Sequence, residues 1–231
     1  MTQIFIVHEP SCSPGRLGQL WRNAGADVVE INAWNHPVPP IVDADALVVL
    51  GGSMSCQDDA EAPWLAPTRQ LIARTVKAGT PFLGICLGHQ LATVALGGQV
   101  CTSDHFCLGA AEMHLTPEGK KDPLLSVYDG HRGIHFNNDV AVVLPEDAVL
   151  LARDPTGQIE AVRFAERAWG GYSFIPSALP KSSMPGLSAT VRKNGSSVFL
   201  GQRPSRQQRR CVATSTPSMP KRLSRRDSRN L

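Results

Sequence analysis

Along the first hundred residues, short uninterrupted apolar runs alternate with longer stretches in which apolar positions recur at helical spacing. Ile4 to Val7, Val28 to Ile31, Ala46 to Leu50 and Pro81 to Ile85 are dense in β-branched and aliphatic side chains, as strands buried on both faces must be. Between them the spacing predicts helices around Gly15 to Ala24, from Trp64 to Ala78 and from Gly88 to Leu96. In the second of these, Leu65, Leu71, Ile72 and Val76 fall near one face, leaving Arg69, Arg74 and Lys77 for water. Strand and helix in alternation predict an α/β fold, an open, mostly parallel, flavodoxin-like sheet with helices on both faces.

Past Gly97 the rhythm shortens to strands and turns: Glu112 to Leu115, Asp139 to Leu144, Val149 to Ala152 and Ile159 to Phe164. Pro117-Glu118-Gly119 and Pro155-Thr156-Gly157 are turn sequences, the latter placed like a hairpin loop. A small antiparallel portion is therefore expected beside the parallel sheet. After Gly171 the periodicity fades. Residues 171–231 hold 12 serines and 12 basic residues, and a disordered or loosely attached tail is expected there.

Charge sharpens that boundary. The 231 residues carry a net charge of only +3, yet 11 basic and 19 acidic residues precede the end of Gly170, and 12 basic and 1 acidic residue follow it. A single folded domain seldom partitions its charge so sharply. The organisation expected is one domain over residues 1–170 and a basic tail over residues 171–231. Six cysteines at irregular spacing, and an opening MTQIFIVHEP without a charged leader, predict reduced thiols and a cytoplasmic location. Cys101, His105 and Cys107 do not have zinc-site spacing, and nothing in the sequence asks for a metal or another cofactor. No apolar run is long enough to span a membrane.

The strand ending at Ile85 runs into Gly84-Ile85-Cys86-Leu87-Gly88 and then into a helical stretch. Glycines two positions either side of a nucleophile at a strand-to-helix junction permit a nucleophile elbow. Such an elbow holds a cysteine at the sheet's carboxyl edge, against a helix N-terminus whose N–H groups favour thiolate. A second strand ends at Gly51-Gly52-Ser53-Met54-Ser55. Paired glycines there let backbone N–H groups face a neighbouring site, as an oxyanion hole requires. In a parallel sheet both features open at the same edge.

These residues resemble the class I glutamine amidotransferases, and among them the stand-alone domains similar to the glutaminase half of GMP synthase. The resemblance rests on LGGSMS at 50–55, DDAEAPWLAPTRQLI at 58–72, TPFLGICLGHQLATVALGG at 80–98, LTPEGKKDPLL at 115–125 and VLPEDAVLLA at 143–152. It covers roughly residues 2–170. It implies Cys86 as nucleophile, Gly51 and Gly52 in the oxyanion and substrate loop, N–H groups of Gly52 and Leu87 as oxyanion donors, and Gln90 near bound glutamine. It further implies glutamine as substrate, a γ-glutamyl thioester intermediate, and ammonia passed to a separate synthetase subunit. The chain contains no phosphate-binding P-loop of its own. His89, on the elbow helix, is expected to point away from the thiol and to serve structural hydrogen bonding; His135 is expected on a solvated loop.

The resemblance breaks at the family's third block, a strand ending in Gly-Val-Gln-Phe-His-Pro-Glu that supplies a histidine base and the glutamate orienting it. No histidine follows His135. Codons GTA CAG TTT CAT CCC GAG encode Val-Gln-Phe-His-Pro-Glu; read one base later they give Tyr-Ser-Phe-Ile-Pro-Ser, which is residues 172–177 in order. A frame displacement near Gly170 and Gly171 is therefore expected, with impaired or absent glutaminase activity in the chain as written. Other readings stay open: a γ-glutamyl peptide hydrolase on the same scaffold, a cysteine α/β-hydrolase, or a non-catalytic protein with a basic tail. Nucleic-acid binding by that tail is disfavoured by its lack of interleaved aromatics.

Overall fold

The structure is a computed structural model and describes residues 1–129, 131–166, 168–172, 174–176 and 211–212. The chain opens with β1 (Thr2–Val7), α1 (Gly15–Asn23), β2 (Asp27–Asn32), β3 (Ala46–Val49), α2 (Leu65–Lys77), β4 (Phe82–Ile85) and α3 (Leu87–Ala95). These seven are the strands and helices that the apolar pattern predicts, to within two residues at nearly every end. Next come β5 (Gln99–Glu112), β6 (His114–Leu115), β7 (Arg132–Val143), β8 (Val149–Arg153) and β9 (Ile159–Ala165). The last strands are β10 (Ala168–Tyr172), β11 (Phe174–Pro176) and β12 (Cys211–Val212).

The main sheet has the order β2-β1-β3-β4-β10-β9-β8-β6. Its first five strands are parallel, in the flavodoxin-like arrangement, and the last three extend it antiparallel. Alternating side chains feed two cores. Ile4, Ile6, Leu47 and Val49 point to the face covered by α2 and α3, among Leu71, Ile72, Leu87 and Leu91. Phe5, Val7 and Val48 point the other way, onto Leu17 and Trp21 of α1, with the Phe5 and Trp21 rings edge to face at 5.2 Å. Each fully buried aliphatic side chain here contributes roughly 1.5–3 kcal/mol, which is why the runs are continuous rather than alternating.

A second, antiparallel sheet has the order β11-β7-β5-β12. Its hairpin of β5 with β7 is the largest departure from the pattern-based expectation. β5 runs through Gln99-Val-Cys-Thr-Ser-Asp-His, whose polar residues hide its extended form. β7 begins at Arg132, well before the expected Asp139, because alternate residues Gly133, His135, Asn137, Asp139 and Ala141 turn inward. The strand expected from Glu112 to Leu115 is two pieces, one ending β5 and one forming β6. The hairpin loop at 155–157 is present between β8 and β9: Asp154 Oδ1 accepts the N–H groups of Thr156 and Gln158, and Gly157 takes φ +88°.

Of the expected tail, Gly171 and Tyr172 complete β10, Phe174–Pro176 pair with β7, and Cys211 and Val212 pair with β5. Those positions are strand rather than loose chain because open backbone rails on β4, β7 and β5 offer them hydrogen-bond partners. The rest of the tail lies outside the described residues. Cys12, Cys56 and Cys86 are free thiols. Cys101 is disulfide-bonded, contrary to the expectation of uniformly reduced cysteines; the antiparallel register sets Cys211 directly opposite it. Among the described residues, no helix is long and apolar enough to cross a membrane.

Candidate active site

At the carboxyl edge of the parallel strands, Cys86 links β4 to α3 with φ +54° and ψ −109°. Among the described residues no other non-glycine has positive φ, and such backbone persists only where its surroundings enforce it. Two glycines do the enforcing. A Cβ on Gly84 would lie 2.6 Å from the Gly88 carbonyl oxygen, and one on Gly88 would lie 2.1 Å from the Val49 carbonyl oxygen. The helix start is thus pressed against β3, and the Cys86 carbonyl accepts the N–H groups of His89 and Gln90 at 2.9 and 3.1 Å.

The glycine loop after β3 meets the elbow. The position a Cβ would occupy on Gly51 is 3.5 Å from Cys86 Cβ and 3.9 Å from its Sγ, and that on Gly52 is 2.9 Å from a Leu87 methyl. Gly51, Gly52, Cys86 and Leu87, singled out from separate parts of the sequence, therefore converge. Gln90 is buried, with its Nε2 donating to the Asp139 carbonyl at 2.9 Å.

Two carboxylates that no sequence pattern singles out flank this cluster. Asp139 on β7 accepts from Ser55 Oγ of the glycine loop and, at 2.9 Å, from Thr102 Oγ1 of β5. Glu9 accepts from Ser53 Oγ at 2.6 Å, from Ser11 Oγ at 2.9 Å and from Cys12 Sγ at 3.3 Å. Burial pushes the Glu9 carboxyl up, but these hydrogen bonds outweigh it and hold the group below its ordinary range. The Cys86 thiol is pushed up, first by burial and then by the negative charges of Asp139 and Glu9, against an opposing hydrogen bond from the Leu87 N–H. A thiol so placed stays protonated at neutral pH unless a base takes its proton.

Neither candidate histidine plays the role expected of it. His89 is fully buried, and its ring nitrogens find no hydrogen-bond partner among the described residues. It packs beside Phe164, ring centroids 6.0 Å apart, because the helix face it occupies is apolar throughout. His135 is not on a solvated loop but buried in β7, with Nε2 3.5 Å from Glu160 Oε2. Desolvation lowers its pKa, with Asp154 acting in the opposite direction. Of the Cys101, His105 and Cys107 set, the side chains of His105 and Cys107 lie outside the described residues.

The other buried imidazole, His8, accepts from Trp64 Nε1 through Nδ1 at 3.2 Å. Burial lowers its pKa from 6.5 to about 4, and that of His89 from 6.5 to about 3. Both are neutral in the fold, while the unfolded chain binds protons at these sites below 6.5. Stability is therefore intact above that value and falls as pH drops from 6.5 towards 4, by up to ~1.4 kcal/mol per pH unit for each ring. Urea unfolding at about pH 7.5 and about pH 5 should show the loss, and His89→Leu should shrink it. An unchanged pH slope in that variant would show that His89 is protonated inside the fold.

The family model for glutamine amidotransferase class-I matches residues 19–181, from α1 through β10 and the cysteine elbow. The chain belongs to this family. Among its amidotransferase relatives, the glutamine amidotransferase-like protein YfeJ of Salmonella typhimurium is 30% identical over 172 residues, 72% of each chain. The first of two lettered subunits would be the counterpart in Halobacterium salinarum: its glutamine-hydrolysing GMP synthase chain is 28% identical over 178 residues, spanning 76% of this chain and 89% of that one. A glutamine amidotransferase of Thermotoga maritima has the same fold, with TM-score 0.69 at 21% identity, covering 76% of this chain and 75% of its own.

Proposed function

We propose that this amidotransferase domain presents Cys86 as a nucleophile for the side-chain amide of glutamine, and that the chain as written lacks the base needed to use it. The nucleophile reading is supported by the strained elbow and by the convergence of Gly51, Gly52 and Leu87 on the sulfur. In such a site the thiolate attacks the carboxamide carbon, and N–H groups of Gly52 and Leu87 receive the developing oxyanion. The C–N bond then breaks with a proton delivered to the departing ammonia. Water hydrolyses the γ-glutamyl thioester, returning the thiol and glutamate.

Both proton transfers need a base beside the sulfur. The observation that carries the impairment is the register of β10. It runs parallel to β4 with Gly170 opposite Gly84 and Tyr172 opposite Ile85, so the residues that follow arrive at the Cys86 edge. There the family's third block carries its His-Pro-Glu; this chain reads Ile175-Pro176-Ser177. A one-base displacement near the codons for Gly170 and Gly171 accounts for that substitution and for the basic, serine-rich composition beyond it. The domain is residues 1–170, with 171–231 an appendage.

A repaired domain would release ammonia for a separate synthetase subunit in the cytoplasm, a reading supported by the likeness to a glutamine-hydrolysing GMP synthase chain. The purified protein should release glutamate from glutamine at the background rate of Cys86→Ala. Ordinary turnover that vanishes in Cys86→Ala would overturn the impairment and direct attention to His135 as the base. The gene's nucleotides across codons 165–180 test the displacement directly, since the His-Pro-Glu codons must be legible in the adjacent frame.

A further inference from the structure

We propose that Cys12 is a second redox-active thiol of this site, placed to capture oxidised Cys86 as an intramolecular disulfide. The inference goes beyond the reading of Cys86 as a nucleophile and rests on the arrangement of two sulfurs around one glycine. The position a Cβ would take on Gly51 lies 3.9 Å from Cys12 Sγ and 3.9 Å from Cys86 Sγ. The sulfurs are therefore no further apart than twice that distance, and Gly51 has no side chain to fill the space between them. Both thiols are free and partly exposed, whereas Cys56 is buried.

Cys12 ends a single 3-10 turn, Pro10–Cys12, closed by its N–H donating to the Glu9 carbonyl at 3.1 Å. Ser53 Oγ ties Glu9 to the glycine loop, so this turn is fastened to the same edge as the elbow. Disulfide closure requires Cα atoms about 5.5 Å apart, and a one-turn segment can supply the remaining movement where a strand could not. The Cys12 thiol already donates to Glu9 Oε1 at 3.3 Å, which gives its proton an acceptor.

The oxidant is a hydroperoxide. The Cys86 sulfur attacks one peroxide oxygen and the O–O bond breaks, giving a sulfenic acid and an alcohol or, from hydrogen peroxide, water. The Cys12 sulfur then attacks the sulfenic sulfur. An S–S bond forms, the S–O bond breaks, and hydroxide leaves with the Cys12 proton as a second product water. Two thiols lose two electrons in total and the peroxide gains them. Without a neighbouring thiol, a sulfenic acid in excess peroxide proceeds to sulfinic acid.

The test treats the reduced full-length chain with hydrogen peroxide in modest excess, alkylates the remaining thiols and maps peptides without reduction. Expected is a Cys12–Cys86 linked peptide pair that disappears on reduction. Diamide, which oxidises thiols without a sulfenic intermediate, should give the same link. In Cys12→Ser, the fraction of Cys86 recovered as sulfinic acid should rise several-fold. Absence of the link with both oxidants, or Cys86 reaching sulfinic acid while Cys12 remains alkylatable, overturns the proposal.

Discussion

A chain carrying Tyr172→Val, Ser173→Gln, Ile175→His and Ser177→Glu is expected to hydrolyse glutamine at least ~1,000-fold faster than the chain as written. The four changes rewrite the stretch after Gly171 as Val-Gln-Phe-His-Pro-Glu. The expectation follows from where that stretch enters the site. β10 delivers it along β4 to the edge at which Cys86 turns, and the Cys86 thiol there is raised by burial and by two carboxylates. An imidazole at 175, oriented by a carboxylate at 177, would take the thiol proton and hand it to ammonia. Catalytic sets of this kind lose several orders of magnitude with one member gone, so restoring the pair should return a comparable factor. Glutamate release over time measures it, with Cys86→Ala in the repaired background as control. A repaired chain that unfolds cooperatively yet stays at background would show that Cys86 is not the nucleophile.

Gly88→Ala is expected to destabilise the fold by about 3 kcal/mol or more. The added carbon would stand 2.1 Å from the Val49 carbonyl oxygen and 2.7 Å from its carbon. Both are backbone atoms of the central strand β3, already engaged in the sheet, so neither can swing aside as a flexible side chain would. The elbow helix must therefore lift, and Leu87 and Leu91 lose part of their packing. For a domain of this size the melting temperature should drop by roughly 6–12 °C. Urea or thermal denaturation reads it. A melting temperature within a degree or so of the parent would mean that α3 does not sit against β3 as described.

The parallel half of the molecule is legible in the sequence because strands such as Ala46–Val49 and Phe82–Ile85 are buried on both faces and show it as unbroken apolar runs. The elbow is legible too, since its glycines are demanded by close backbone approach and stand at fixed offsets from Cys86. Tertiary proximity is not. Ser55 meets Asp139 across 84 positions, and no local pattern announces that pairing. Glu9 and Cys12 join the site through a turn with no distinguishing residues of its own. His135 looks like a loop residue in sequence because Phe136 and Asn138 interrupt the apolar count. Its strand is visible only once alternate positions 133 to 141 are seen to face inward.

All eight strands of the main sheet end by Tyr172. The hydrogen-bonding complement of the central body is thus assembled from residues that precede the altered stretch. A lesion at that point separates compactness from chemistry. Cellular surveillance acts on exposed backbone and apolar surface, and it has no means of sensing that a thiol lacks its proton acceptor. A gene damaged there would go on producing a well-folded body, and its loss would register only as ammonia that fails to appear.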